Sequence, residues 1–305
     1  MNTTSFCGVH TALATPMRRG AVDYASLGRL VDFQLREGVQ GIVAVGTTGE
    51  SPTLDYDEHI KVIEFIVERV NGRVPVTAGT GSNSTEEQVD LSRRALKAGA
   101  PALLLVAPYY NKPSQEGLYR HFAAVARITA KPIILYSIPS RSGVEIGLPT
   151  VLRLRKDFPH IIGLKESGGS CDRVSQLRRE VDNDFVITSG DDSLTLPFIA
   201  CGARGVISVA SNLAVRPIVE MVRLALANDL RAAQFLHLRY LPFFKNIFTE
   251  PSPAPIKYAL HRAGLIATPE VRLPLCEVTR DLRALLDPIL RELKLLKAAG
   301  KKPRQ

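Results

Sequence analysis

The sequence predicts a closed parallel TIM (β/α)8 barrel followed by a C-terminal helical extension. Three observations lead there. Eight short apolar runs of strand length follow one another, at 9–14, 41–45, 75–78, 102–107, 132–136, 161–164, 185–188 and 205–209. Amphipathic helical stretches separate them at roughly 20–35-residue intervals, the alternation of a parallel sheet whose crossovers are helices. The 305 residues match the usual size of such a barrel rather than of an ordinary single domain.

The elements follow in order from periodicity and turn chemistry. Leu27, Leu30, Val31 and Leu35 share one helical face before Gly38 ends that helix. Ile63, Ile66, Val67 and Val70 do the same before Asn71-Gly72. Asp55 with Glu58, and Ser84 with Glu87, have the spacing of capping boxes. A doubly wound open sheet is the competing architecture. It would place a glycine fingerprint directly after the first strand, where none stands. From about residue 215 the strand signal stops, and helices follow with breaks expected at Pro242 and across 250–255. The division is therefore a barrel over 1–214, a packed helical region over 215–300 that completes it, and a basic tail over 301–305.

Composition narrows the class of function. With 45% hydrophobic and 23% charged residues the chain can bury a full core. No apolar run reaches the roughly 18 residues of a membrane span, and Met1–Ser5 lacks the pattern of a secretory signal. Four scattered cysteines without a CxxC pair point to a reduced, cytoplasmic protein with neither a disulfide scaffold nor zinc. The net charge of +9 raises nucleic acid as a partner, but there is no tryptophan and no basic run interleaved with aromatics. Much of the excess lies at Lys294, Lys297, Lys301, Lys302 and Arg304, and small anionic substrates suit the remainder better. The six histidines form no ligand-like cluster, so no metal is implied. An acyl-transfer triad has no support without a GxSxG elbow.

In a barrel of this kind the chemistry sits on the loops after the strands. The second strand ends in Gly46-Thr47-Thr48-Gly49-Glu50-Ser51, the third in Gly79-Thr80-Gly81-Ser82-Asn83, the fourth in Pro108-Tyr109-Tyr110-Asn111 and the fifth in Tyr136-Ser137-Ile138-Pro139-Ser140-Arg141. The sixth, Ile161-Ile162-Gly163-Leu164, stops at Lys165-Glu166-Ser167 before two glycines, and the seventh ends in Ser189-Gly190-Asp191-Asp192. A lysine at that rim has its stem among apolar side chains, where desolvation favours a neutral amine. Such an amine is the nucleophile that forms a Schiff base with a carbonyl compound. The competing reading of Lys165 is an ion pair with Glu166 or another strand-end acid. Taken singly, the other motifs also have structural readings: a tight turn at 46–49, a packed tyrosine pair at 109–110, a surface ion pair at Arg141. Together, the hydroxyls, tyrosines, one arginine and one lysine on one rim can hold a small 2-oxo acid, form an imine and move protons.

GTTGES at 46–51, AGTGSNST at 78–85, PYYNKPSQEGLYRHF at 108–122, YSIPSRSG at 136–143, GLKES at 163–167, SGDD at 189–192 and GVISVASN at 205–212 occur in register. In this the chain strongly resembles the dihydrodipicolinate synthases, the lysine-pathway branch of the N-acetylneuraminate lyase family of class I, Schiff-base-forming barrels. The likeness runs from about residue 6 to residue 280. It implies condensation of pyruvate with L-aspartate semialdehyde to 4-hydroxy-tetrahydrodipicolinate, with no dissociable cofactor. It implies that Lys165 captures pyruvate and that Tyr136 relays protons, linked through Thr48 to Tyr110 of a neighbouring subunit across a tight dimer interface. Thr47 and Thr48 would meet the pyruvate carboxylate, Arg141 the carboxylate of the semialdehyde, and the backbone at Ile207 the bound keto acid. The assembly implied is a homotetramer, a dimer of dimers. Ser51, His59, Asn83, Glu87 and Tyr109 resemble the family's lysine effector pocket.

The chain departs from the family pattern at four positions. Ser137 stands where asparagine is usual, and Gly168 where a hydroxylated residue is common. Pro52 replaces a frequent alanine, and Tyr56 a histidine frequent in inhibited bacterial enzymes. Two alternatives remain at this level: a sibling pyruvate-dependent aldolase or lyase acting on a 2-oxo sugar acid or a 4-hydroxy-2-oxo acid, and a non-catalytic barrel that binds a keto acid. Gly46-Thr47-Thr48 and Arg141 favour the synthase over the first, and a proton relay has no use in the second.

Overall fold

A computed structural model describes residues 3–296. Eight parallel strands close into a barrel: β1 Gly8–Ala12, β2 Gly41–Ala44, β3 Val76–Gly79, β4 Ala102–Val106, β5 Ile133–Ser137, β6 Ile161–Glu166, β7 Val186–Ser189 and β8 Gly205–Ser208. Closure occurs at β1, where His10 is in register with Gly41 on one side and Ile207 on the other. The doubly wound alternative, which leaves two open edges, is thereby excluded.

Each strand is read by two environments, because successive side chains point to opposite faces. Val9, Ile42, Leu103, Leu105, Leu135, Leu164 and Ile187 pack outward into the large core under the helices. Ala12, Val43, Leu104, Ile134, Tyr136 and Ile207 pack inward and fill the barrel. This double burial is why the strands read as continuous apolar runs rather than alternating ones. The barrel helices are Tyr24–Arg36, Tyr56–Val70, Thr85–Lys97, Gln115–Ala126, Leu148–Asp157, Cys171–Glu180, Thr195–Ala200 and Val215–Leu226. The last of these packs on β1. Helices Leu230–Asn246, Ala254–Arg262 and Arg280–Glu292 form the extension.

Local signals were met unevenly. Asp55 and Glu58 form a complete capping box. At Ser84 only half of one forms. Its hydroxyl accepts from Glu87 N, but the Glu87 carboxylate turns away to accept from Ser82 Oγ at 2.7 Å. Pro242 does not break its helix, which runs on to Asn246. It leaves the Leu238 carbonyl without its helical donor, and Leu238 sits on the solvent face. The break across 250–255 occurs as expected, before Ala254. A two-stranded hairpin, Met17–Arg18 with Ala21–Val22, was not anticipated, being too short for a periodicity to show. The tail over 301–305 lies outside the described residues.

Three buried titratable groups set an acid sensitivity. Burial lowers His10 and His121 to about 4, so both are neutral in the fold. They stabilise it above the unfolded value of 6.5, and that contribution is lost as pH falls through 4, roughly 3 kcal/mol each. Asp192 opposes them. Burial raises it to about 6, so it regains roughly 3 kcal/mol as pH falls from 6 towards 4. The histidines win. Urea unfolding at pH 7, 5.5 and 4 is expected to show a net loss of roughly 3 kcal/mol, and stability that stays flat or rises on acidification contradicts this balance.

Candidate active site

Lys165 lies one residue from the end of β6, which continues to Glu166 rather than stopping at Leu164 because Ser137 and Ser189 extend the ladder on both sides. A register irregularity between Ile133 and Ile134 sets which β6 residues face inward. Tyr136, Lys165 and Thr188 are consecutive register partners on β5, β6 and β7, so their side chains form one row facing the barrel axis. Lys165 is 6% exposed, and its Nζ lies 4.0 Å from the centre of the buried Tyr136 ring. The ion-pair reading of Lys165 fails on geometry. Glu166 points to the other face and is engaged by Arg173 Nε at 2.8 Å, and Lys165 pairs with no acid among the described residues.

Room for the lysine depends on Gly190. A Cβ there would lie 2.9 Å from Lys165 Cε and 1.8 Å from Ser167 Oγ. The Ser167 and Thr188 hydroxyls beside Lys165 are buried and have no hydrogen-bond partner among the described residues. They leave polar atoms close to the amine for a polar guest.

The neighbouring wall is the loop after β2. Val45 adopts φ 52°, a strained conformation for a β-branched residue. Close approach of Gly79 accompanies it: a Cβ on Gly79 would lie 2.5 Å from the Val45 carbonyl oxygen. The chain then turns through the 3-10 segment Thr47–Gly49, closed by Gly49 N to Gly46 O at 2.9 Å and Glu50 N to Thr47 O at 3.1 Å. Thr48 is buried in that turn. Thr47, Ser51, Gly79, Val106 and Tyr136 line one small cavity in the barrel mouth. Ile207 is buried on the inward face of β8, in the same interior cluster as Tyr136. Just past Ile207 in the chain, Ser208 Oγ at 2.5 Å, Val209 N at 3.1 Å and Ala210 N at 2.9 Å donate to Asp192, fixing the turn after β8.

Two predicted residues stand apart from this cluster within one chain. Arg141 is exposed on a short helix, Pro139–Ser142, and among the described residues its guanidinium makes no ion pair or hydrogen bond. Tyr110 is 91% exposed at φ 76°, so a strained backbone presents its ring to solvent.

The five effector candidates do come together. Ser51, His59, Glu87 and Tyr109 line a separate cavity of about 200 Å³, along with Pro52 and Tyr56. Asn83 sits at its edge, donating to the Tyr109 carbonyl at 3.2 Å. His59 bonds the Gly79 carbonyl at 2.7 Å, and burial lowers its pKa. The Glu87 carboxylate raises the Tyr56 phenol above its ordinary value. Ser51 and Gly81 belong to both cavities, so this pocket abuts the barrel mouth.

Sequence reasoning missed the groups that hold the site. Glu50 and Lys257 form a fully buried ion pair, and the other Glu50 oxygen accepts from Arg272 N at 3.0 Å. Burial lowers the Lys257 pKa, against the pull of Glu50. A lone lysine inside the apolar stretch Ala254-Pro255-Ile256-Lys257-Tyr258-Ala259-Leu260 was the available signal. Glu166 and Arg173 were likewise unassigned. Among the described residues no group of three or more His, Cys, Asp or Glu side chains is placed to hold a metal. No helix among them is long and apolar enough to cross a membrane.

Comparison with known proteins shows the family and the fold. Residues 5–293 match the model of the dihydrodipicolinate synthetase family. The chain is 47% identical over 292 residues to the 4-hydroxy-tetrahydrodipicolinate synthase of Persephonella marina, covering 96% of this chain and 100% of that one. The 4-hydroxy-tetrahydrodipicolinate synthase structure from Methylacidiphilum fumariolicum superposes with a TM-score of 0.93 at 48% identity, covering 94% of this chain and 96% of that one. The Acinetobacter baumannii dihydrodipicolinate synthase, solved in complex with pyruvate, superposes with a TM-score of 0.92 at 40% identity, over 95% and 99% of the two chains.

Proposed function

The chain belongs to the dihydrodipicolinate synthetase family, and from that premise we propose how its barrel mouth condenses pyruvate with L-aspartate semialdehyde to 4-hydroxy-tetrahydrodipicolinate. The observation that carries the mechanism is the buried, unpaired Lys165 amine set 4.0 Å from the Tyr136 ring centre.

Lys165 Nζ attacks the pyruvate ketone, and loss of water leaves a protonated imine that serves as an electron sink. A methyl proton departs, and the resulting enamine forms the new carbon–carbon bond at the semialdehyde carbonyl, whose oxygen takes up a proton. The amine of the adduct then adds to the imine carbon, closes the ring and expels the Lys165 amine. Tyr136 carries protons in these steps, a role supported by its ring lying 4.0 Å from the Lys165 amine. Thr47 and Thr48, on the turn that borders the cavity, offer hydroxyl and backbone N–H donors to the pyruvate carboxylate. The Ile207 backbone flanks the keto acid. Arg141, with its guanidinium free, suits the planar carboxylate of the semialdehyde through a bidentate fork. The reaction as written calls for no dissociable cofactor.

Tyr110 serves the site of a neighbouring copy in this reading. Its exposure and strained backbone support a role across an interface, and a homotetramer built as a dimer of dimers supplies one. The pocket of Ser51, His59, Glu87 and Tyr109, with Asn83 at its edge, is read as a lysine effector site, its Glu87 carboxylate matching an amino group. The cytoplasm is the expected place of action.

The test is a coupled assay with both substrates, the product being reduced by added dihydrodipicolinate reductase at the expense of NADPH. Turnover is expected. Arg141→Ala should raise the KM for the semialdehyde by about 10- to 100-fold, the worth of hydrogen bonds to a charged group, while pyruvate capture persists. Absence of turnover with pyruvate still trapped on Lys165 would turn the reading to the sibling aldolases.

A further inference from the structure

The two departures at Ser137 and Gly168 lie at opposite ends of one hydrogen-bonded network, and that network ends on the loop that carries Arg141. Glu166, the neighbour of Lys165, is fully buried. One of its oxygens accepts from Gly168 N at 2.5 Å and the other from Arg173 Nε at 2.8 Å. Arg173 then uses its remaining donors on the loop. Its Nη1 bonds Glu145 Oε1 at 3.0 Å, and its Nη2 bonds the Ile146 carbonyl at 2.6 Å. Ile146 N in turn donates to Ser137 Oγ at 3.4 Å. Ser142 Oγ braces the interior of the loop, its one proton shared between the Ile138 and Val144 carbonyls at 2.9 and 2.8 Å.

The loop over 138–146 is therefore held at its start by β5 and at its end by Arg173 and Ser137. Arg141 lies between these anchors and makes no side-chain bond to any of the described residues. Its guanidinium is placed only by the backbone beneath it. Gly168 suits this arrangement, since a Cβ there would lie 2.6 Å from Glu166 Oε1 and the carboxylate would have to shift. Ser137 supplies an acceptor for Ile146 N from the other side.

We propose that Arg173 is a positioning residue for the second substrate: held by Glu166, it fixes Glu145 and Ile146 and so sets where Arg141 meets the substrate carboxylate. The inference rests on the role given to Arg141 above. It separates the two halves of the reaction, because the Arg173 network lies on the outer face of β6, away from the Lys165 amine.

The test compares Arg173→Lys, Glu145→Ala and Arg141→Ala, with Arg173→Lys also placed in the Arg141→Ala background. Lysine keeps a cation beside buried Glu166 but cannot reach three acceptors at once. Glu145 is half-exposed, so its removal leaves the Glu166–Arg173 pair intact and covers the case in which the Arg173 variant does not fold. Arg173→Lys is expected to raise the semialdehyde KM about tenfold, as a misplaced positioning group does. Glu145→Ala should shift it in the same direction. The pyruvate KM and the rate of borohydride trapping on Lys165 should stay within about twofold of the parent, and in the Arg141→Ala background the Arg173 change should add less than about twofold. Equal loss in both substrates, or a full Arg173 effect without Arg141, overturns the proposal. So does an unchanged semialdehyde KM in both network variants while Arg141→Ala raises it. If Arg141→Ala itself leaves that KM unchanged, the role of Arg141 fails and the proposal falls with it.

Discussion

Lys165→Ala protein is expected to form no borohydride-trapped pyruvyl adduct and to lose turnover by at least about 10⁴-fold, the scale on which covalent catalysis fails when its nucleophile is removed. The size follows from the site. Tyr136 carries an aromatic phenol, and the Ser167 and Thr188 hydroxyls are the other polar groups flanking the amine, so no second amine stands ready to form the imine. Lys257 is the other buried lysine among the described residues, and its amine is taken by Glu50. The same variant should fold as well as the parent or better. Among the described residues the buried Lys165 amine has no counterion, so removing it removes a desolvation cost that its contact with the Tyr136 ring only partly offsets. Mass spectrometry after reduction and a thermal melt check both halves. A residual adduct on another lysine would sink the assignment of Lys165. A melt lowered by more than about 5 °C would show that the amine is bonded in the native state, contrary to the geometry.

What could be read from the sequence followed from how each feature is encoded. The barrel was legible because Ile42, Leu103, Leu135 and Leu164 on the outer face and Val43, Leu104, Ile134 and Ile207 on the inner face make each strand an apolar run. Lys165, Tyr136 and Thr47–Thr48 were legible because polar residues at strand ends break those runs. The supports were not. Arg173 and Glu166 are seven residues apart, and Lys257 and Glu50 are 207 apart, so only the closed fold brings each pair together. Pro242 misled for a local reason: the carbonyl that loses its donor belongs to Leu238, which is exposed, so the loss does not end the helix. At Ser84 the capping spacing was present, but Ser82 competes for the Glu87 carboxylate.

Replacing Lys257 by methionine should be the most damaging single change outside the reacting groups. Glu50 has no exposed surface to retreat to, its backbone is held in the left-handed region at φ 59°, and its second oxygen is already taken by Arg272 N. Without the ammonium, a carboxylate stays buried with half its compensation gone, a loss of about 3–5 kcal/mol. That should lower the melting temperature by roughly 5–15 °C in a chain of this size. The damage should also reach catalysis, because Glu50 N closes the Thr47–Gly49 turn at 3.1 Å and Thr53 N returns to Glu50 O at 3.0 Å. Adding Glu50→Gln to Lys257→Met removes the buried charge and should restore part of the stability, so the two changes are strongly non-additive. Thermal melts of the two single variants and the double variant decide it. A Lys257→Met melt within about 2 °C of the parent would mean that Glu50 is satisfied without its partner. With the pair in place, helix Ala254–Arg262 of the extension grips the turn that carries Thr47 and Thr48, which ties the helical region to the barrel mouth rather than to the outer packing alone.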